Sequence, residues 1–369
     1  MPRAPRSHPP GAPPQPPPVR ARGRIVTPAD RALLRTPLCD LLGCDLPILL
    51  AGMGGVSRWE LAAAVAGAGG YPTLGMVRES PDLIAAEVRA LRAATDRPFA
   101  VNLIPAATDP ALLEAQVARC LDLGVGAFSF FWDVVPAVVE RVKAAGCLVL
   151  HQIGTQNAAR EAEAAGADVL IAQGIEAGGH VHGRTAAFDF AQEVRSETRL
   201  PVVISGGITD GTGLAAALAL GASGVQCGTA LLATDESFAH AYHKRRIVAA
   251  TGSDTVLTDV FVLNWPRGAA VRVLRNSVTA ALGDRLFDHD PEGLPREAIA
   301  RDGDQPRLRF STDSPLRTTE GDLEAMALFA GKGAGRIPDI VPAGERLSRM
   351  AEEAASLLAQ TALREGSMA

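Results

Sequence analysis

CLVLHQIGTQNAAREAEAAGADVLIAQ, residues 147–173, holds two short apolar runs with an alanine-rich stretch between them. The runs CLVLHQ (147–152) and DVLIAQ (168–173) are apolar at successive positions and too short for helices, the mark of strands buried on both faces. QNAAREAEAAG sets alanines at helical spacing and closes on Gly166, the residue type that most easily takes the left-handed conformation past a helix end. A strand, a helix and a second strand in this order mean a parallel pair joined by a crossover helix.

The unit recurs along the chain. PILLA (47–51), YPTLG (71–75), FAVNL (99–103), AFSFF (127–131), PVVIS (201–205) and GVQCG (224–228) read as further strands. RWELAAAVAGA, PDLIAAEVRALRAA and DPALLEAQVARCLDL read as helices between them. The helix exits rhyme as well: Leu123-Gly124, Ala145-Gly146, Ala165-Gly166 and Leu220-Gly221. Roughly eight such units predict an α/β fold, a (β/α)8 TIM barrel over residues 40–250. The rival is a doubly wound Rossmann sheet, suggested by Gly52-Met-Gly54-Gly55 after the first strand. That motif wants an acidic residue at the end of the next strand to hold a ribose, and the next strand ends Thr73-Leu-Gly75-Met76. The barrel is therefore the expectation. Residues 251–369 leave the repeat and read as a small, mostly helical C-terminal cap that packs on the barrel or covers its mouth. It closes with a helix in GERLSRMAEEAASLLAQTAL. Residues 1–24, rich in proline and arginine, are expected to be a disordered tail without the apolar centre of a secretory signal.

Composition narrows the class. Of 369 residues, 47% are hydrophobic and 21% charged, the balance of a globular chain with a large core. A net charge of −5 with no basic stripe argues against nucleic acid as a partner. No apolar run is long enough to cross a bilayer. The five cysteines fall inside apparent strands and helices, so they are expected to be reduced core residues in a cytoplasmic protein.

In such a barrel the site gathers at the C-terminal ends of the strands. There the sequence places Gly52 and Met53, then Asn102, then Gln173 opening the loop AQGIEAGGHVHGRT (172–185), then Ser205-Gly206-Gly207, and finally Gln226 with Gly228-Thr229. The glycine turns after the seventh and eighth strands can aim backbone N–H groups at an anion, which points to a phosphate-bearing cofactor. Either turn alone would also serve as a plain βα connection. Asn102 and Gln173 each carry a donor and an acceptor, suited to the polar edge of a flavin, although a buried amide can also simply tie loops together. His180, over the mouth, can take or give a proton near neutral pH; His182 competes for the role. His240 and His243 share a helix face without a carboxylate or cysteine to complete a metal site, and a surface position is expected for both. His151 is expected inside the fifth strand, and Cys227 to pack.

The combination AGMGGVS, PFAVN, AQGIEAGGH, SGGI and QCGTALLATDES, in this order, resembles the nitronate monooxygenase family, formerly called 2-nitropropane dioxygenases. The likeness covers about residues 40 to 280, including WPRGAAVRVLRNS. It implies an FMN-dependent barrel that oxidises alkyl nitronates with O2 to a carbonyl compound and nitrite. By motif, Gly52, Met53, Asn102, Gln173, Gly178, Gly179, Gly206, Gly207, Gln226, Gly228 and Thr229 would hold FMN, and His180 would be the catalytic base. A homodimer is compatible with the resemblance. Where the family's first motif has proline this chain has Gly52, expected to loosen the loop, and SFFWD (129–133) is expected to make the site bulkier. Related barrels sharing the AGGH motif are NAD(P)H-using reductases, of enoyl-ACP or of quinones, which is the alternative activity. A non-catalytic flavin scaffold is disfavoured, since it has no use for a base in the mouth.

Overall fold

A computed structural model of the chain describes residues 26–368; the proline-rich stretch 1–24 lies outside the described residues. Parallel strands β1 (Ile48–Leu50), β2 (Thr73–Gly75), β3 (Ala100–Leu103), β4 (Ala127–Phe131), β5 (Leu148–Ile153) and β6 (Val169–Gln173) follow the predicted runs. After the two-residue β7 (Gly179–His180), β8 (Val202–Ser205) and β9 (Gly224–Cys227) complete the set. The sheet order is β1-β9-β8-β6-β5-β4-β3-β2. It closes on itself where Leu49 bridges to Tyr71, with Leu50 N–H donating to the Tyr71 carbonyl at 2.9 Å. The expected (β/α)8 barrel is what the chain builds. Gly124, Gly146, Gly166 and Gly221 all take positive φ at the helix exits.

Strand alternation sorts the barrel interior into layers. Leu49, Ala100, Ala127, Leu150, Ile171 and Val203 form an apolar layer toward the bottom, plugged by Leu38, Cys39 and Leu42 of the helix Pro37–Leu42. Two residues further along the same strands, on the same inward face, stand Asn102, Ser129, Gln152, Gln173 and Ser205, joined by Gln226 of β9. Register locks this upper layer: Asn102 pairs with Ser129, Gln173 with Ser205, and Ser205 with Gln226. The outward residues, such as Val101, Phe128, Leu170 and Ile204, pack under the helices in the main core.

Beyond β9 the chain adds β10 (Thr255–Thr258), β11 (Val271–Leu274), β12 (Ala298–Asp302), β13 (Gln305–Leu308) and β14 (Thr319–Gly321). They make two small antiparallel sheets beside the extension's helices, β10-β11-β7 and β13-β12-β14. The first borrows β7 from the histidine loop, so the extension is stitched into the barrel mouth. The last helix, Ala343–Met368, packs against Gly211–Ala219 and Trp59–Gly67, the helices that follow β8 and β1. It thereby fills the outer position left after β9. Its Leu347, Met350, Ala351, Ala354 and Ala355 belong to the main core.

Candidate functional site

A cavity of about 440 Å³ opens at the C-terminal ends of the strands. His180 and every residue that the family motif assigns to the cofactor line it: Gly52, Met53, Asn102, Gln173, Gly178, Gly179, Gly206, Gly207, Gln226, Gly228 and Thr229. The upper polar layer is its floor. Asn102 Nδ2 donates to the Ser129 carbonyl at 2.9 Å, while Asn102 Oδ1 is buried without a partner. Gln226 Nε2 donates to Gln152 Oε1 at 2.6 Å and to Ser205 Oγ at 3.3 Å.

Gln173 is partly committed to its own loop. Nε2 donates to the His180 carbonyl at 2.8 Å, and Oε1 accepts from His182 N–H at 3.2 Å. One N–H and one lone pair remain for the cavity. The loop is held from the other side by β11, whose Arg272 donates to the Ile175 carbonyl at 2.8 Å and whose Val271 pairs with His180. Glu176 Oε2 accepts from Ala187 N–H at 3.0 Å, capping the helix Ala187–Glu197.

His180 is partly exposed on the cavity wall, but its Nε2 is buried and unpartnered. Trp265 stacks on the ring with centroids 3.2 Å apart, and Trp132 and Phe329 approach its edges. Burial, aided by the charge of Arg78, holds the imidazole well below its ordinary pKa. It is neutral at pH 7. His182 lies off the cavity lining, stacked on Trp132 at 4.5 Å, and burial lowers it too while Asp133 opposes. Trp132 holds φ +79°, a left-handed backbone rare for a bulky residue.

The loop after β1 is tight, which corrects the expectation from Gly52. A Cβ at this position would lie 2.3 Å from Asn102 Cβ, so only glycine lets the first loop close over that amide. The expected surface position of His243 is corrected as well. The ring is buried, bonded to the Phe329 carbonyl at 3.0 Å and to Ser314 Oγ at 3.2 Å, because the helix Ala241–Val248 turns this face into the extension. His240 instead caps that helix, its Nδ1 accepting from Tyr242 N–H at 3.0 Å. His151 lies buried in β5, and Cys227 packs in the core, as expected.

The sequence reading missed several lining groups. Gln152 was legible in principle, being in phase with Leu150 on the inward face. Arg78, Trp265 and Phe329 also line the cavity, beside Phe131 of the SFFWD stretch that the sequence had marked as bulky. So does a strap from the extension, residues 330–336. Gly331 N–H donates to Thr229 Oγ1 at 3.0 Å, Lys332 N–H to the Glu176 carbonyl at 2.9 Å, and Arg336 pairs with Asp210 at 3.0 Å. A Cβ at Gly178 would meet Gly331 N at 2.5 Å, which explains that glycine by close backbone approach. The repeated glycines of GKGAGR were the available signal.

The nitronate monooxygenase family model matches residues 35–114 and 110–353. The chain is similar to the nitronate monooxygenase of Paraburkholderia phytofirmans, 32% identical over 360 residues, covering 86% of this chain and 94% of that one. It is 38% identical over 227 residues to the (3aS,4S,5R,7aS)-5-hydroxy-7a-methyl-1-oxo-octahydro-1H-indene-4-carboxyl-CoA dehydrogenase of Mycobacterium tuberculosis, a match spanning 61% of this chain and 63% of that relative's length. Among solved structures, the nitroalkane oxidase of Streptomyces ansochromogenes is 34% identical with a TM-score of 0.72, covering 89% of this chain and 100% of that one.

Proposed function

The chain belongs to the nitronate monooxygenase family, and from that premise we propose that it is an FMN-dependent oxidoreductase that uses O2 to convert alkyl nitronates to a carbonyl compound and nitrite. The observation that carries the reading is one cavity in which a glycine-turn cradle meets two buried, partnerless polar atoms, Asn102 Oδ1 and His180 Nε2. Unpaired buried polar atoms are costly, and these two belong to residues of the cavity wall, where a bound ligand can complete the bonding.

The residues present fit FMN. Gly206 and Gly207 take φ of +115° and +73°, turning backbone toward the cavity as an anion cradle requires. Thr229 Oγ1 already accepts from Gly331 N–H, which leaves its hydrogen free for a phosphate oxygen. Gly228 leaves that side of the turn open, Gly179 has open space where a Cβ would stand, and both Gly178 and Gly179 would lie beside the ring system on the histidine loop. Gly52 and Met53 would close over it, and Asn102 Oδ1, Gln173 and Gln226 would meet its polar edge. Bound FMN would supply the electron acceptor for the oxidation. His180, neutral and on the cavity wall, would take the α-proton of a nitroalkane at Nε2. Trp265, stacked on the imidazole, excludes water from that proton. Nitronate and O2 are the proposed small-molecule partners.

The second reading is a dehydrogenase or reductase using NAD(P)H, favoured by the likeness to the mycobacterial CoA-thioester dehydrogenase. Anaerobic mixing separates the two. The purified protein should be yellow with one FMN per chain, and a preformed nitronate should bleach it faster than NADH does. Bleaching by NADH alone would make the second reading the right one. Protein that neither carries nor takes up FMN would end both.

A further inference from the structure

Arg78 sits on the turn after β2 with φ +58°, a left-handed backbone that costs energy in a residue with a Cβ and persists where the surroundings impose it. Its Nη1 donates to the Asn264 carbonyl at 3.0 Å, next to Trp265. Nη2 is 3.6 Å from Asp313, too far for a hydrogen bond, and Asp313 also faces Arg307 at 3.7 Å. The other charges nearby are better matched. Arg307 bonds Asp302 at 3.0 Å, and Glu79 receives Arg58 at 2.8 Å. The Arg78 side chain is 28% exposed and lines the same cavity as His180. It brings to that wall a guanidinium with donors to offer and no carboxylate within hydrogen-bond distance.

We propose that Arg78 binds the nitro group of the substrate and holds the two oxygens of the nitronate, an inference that rests on the nitronate-oxidising reading of the site. When a neutral nitroalkane enters, its Cα–H bond breaks and the proton passes to His180 Nε2. The electron pair forms the C=N bond and leaves one negative charge shared by the two oxygens. A planar guanidinium matches a planar pair of oxygens, and its bonds are charge-assisted. It gains strength as the anion forms, which a neutral donor would do less. A preformed nitronate uses the same contact from the start.

The test uses the flavin-loaded protein with Arg78→Gln and Arg78→Lys. Inorganic nitrate, a planar anion of similar shape, is titrated by calorimetry, and turnover is measured on a preformed nitronate. Arg78→Gln should weaken nitrate binding and lower kcat/KM for the nitronate by about 10- to 100-fold. Arg78→Lys should recover part of both, with flavin content and Tm near those of the parent. Nitrate that binds the parent and Arg78→Gln equally, or binds neither, overturns the proposal. So does a fall in Tm and flavin content in both variants, which would mark Arg78 as only a latch for the Trp265 loop. If the parent binds nitrate through Arg78 yet oxidises no nitronate, the anion site stands and the nitronate reading falls.

Discussion

His180 is held from several directions at once: its carbonyl by Gln173, its backbone by Val271, its ring by Trp265. Its Nε2 is buried with no partner. His151 Nε2 and His182 Nδ1 are buried without partners as well, so what singles out His180 is that it alone of the three lines the cavity. Burial also keeps the ring neutral below its ordinary pKa, so the acid limb of a rate profile should lie below pH 6.5 rather than at it. His180→Asn should retain FMN and lose turnover of a neutral nitroalkane by about 10²- to 10⁴-fold. A preformed nitronate, whose proton is already gone, should lose much less. Equal loss on both substrates, together with lower Tm, would assign the ring to packing with Trp265. A selective loss in His182→Asn instead would show the neighbouring ring to be the base. The sequence alone pointed to His180 through its place after two glycines. It could not show Trp265 lying on it, because residues 180 and 265 meet only when β11 docks on β7.

At the scale of elements, the strands of the barrel were legible because burial on both faces gives short, unbroken apolar runs, and the helix exits because glycine is needed there. What was not legible is what tertiary contact alone creates. β7 is two residues that count as a strand only when β11 pairs with them, and the strap 330–336 has no periodicity to read. The last helix was visible, but its place was not. It lies so close to the helix Gly211–Ala219 that a Cβ on Gly211 would sit 2.4 Å from the Met350 carbonyl and 2.6 Å from Ala354 N. Glu353 bridges the same contact, accepting from Gly211 N–H at 2.9 Å and Thr212 Oγ1 at 3.1 Å. Gly211→Ala must push the two helices apart and should cost about 1–3 kcal/mol, read as a lower urea midpoint. An unchanged midpoint would mean that the helix slides without penalty and is not a fixed part of the barrel wall.

The molecule as a whole buries histidines in a way that ties its stability to pH. His151 and His243 are both buried, and desolvation pushes each down to about 4 from 6.5, against weaker support from backbone carbonyls. His180, His182 and His240 are lowered in the same direction. For a base whose folded pKa is depressed, the unfolded chain binds the proton first as pH falls. Stability is therefore full above 6.5 and declines from there toward 4. Each proton taken up on unfolding contributes about 1.4 kcal/mol per pH unit, so His151 and His243 together give a slope of about 3 kcal/mol per unit within that window. Glu87 works against it, since burial raises its carboxyl and the folded chain then binds a proton near the acid end of the range. The unfolding free energy from urea titrations should accordingly fall between pH 7 and pH 5, well before ordinary carboxylates titrate. His243→Gln should flatten the slope by about one proton, whatever it does to stability at pH 7. A curve that stays level from pH 7 to pH 5 would mean that these rings are solvated or already charged in the folded chain, against the packing that surrounds them.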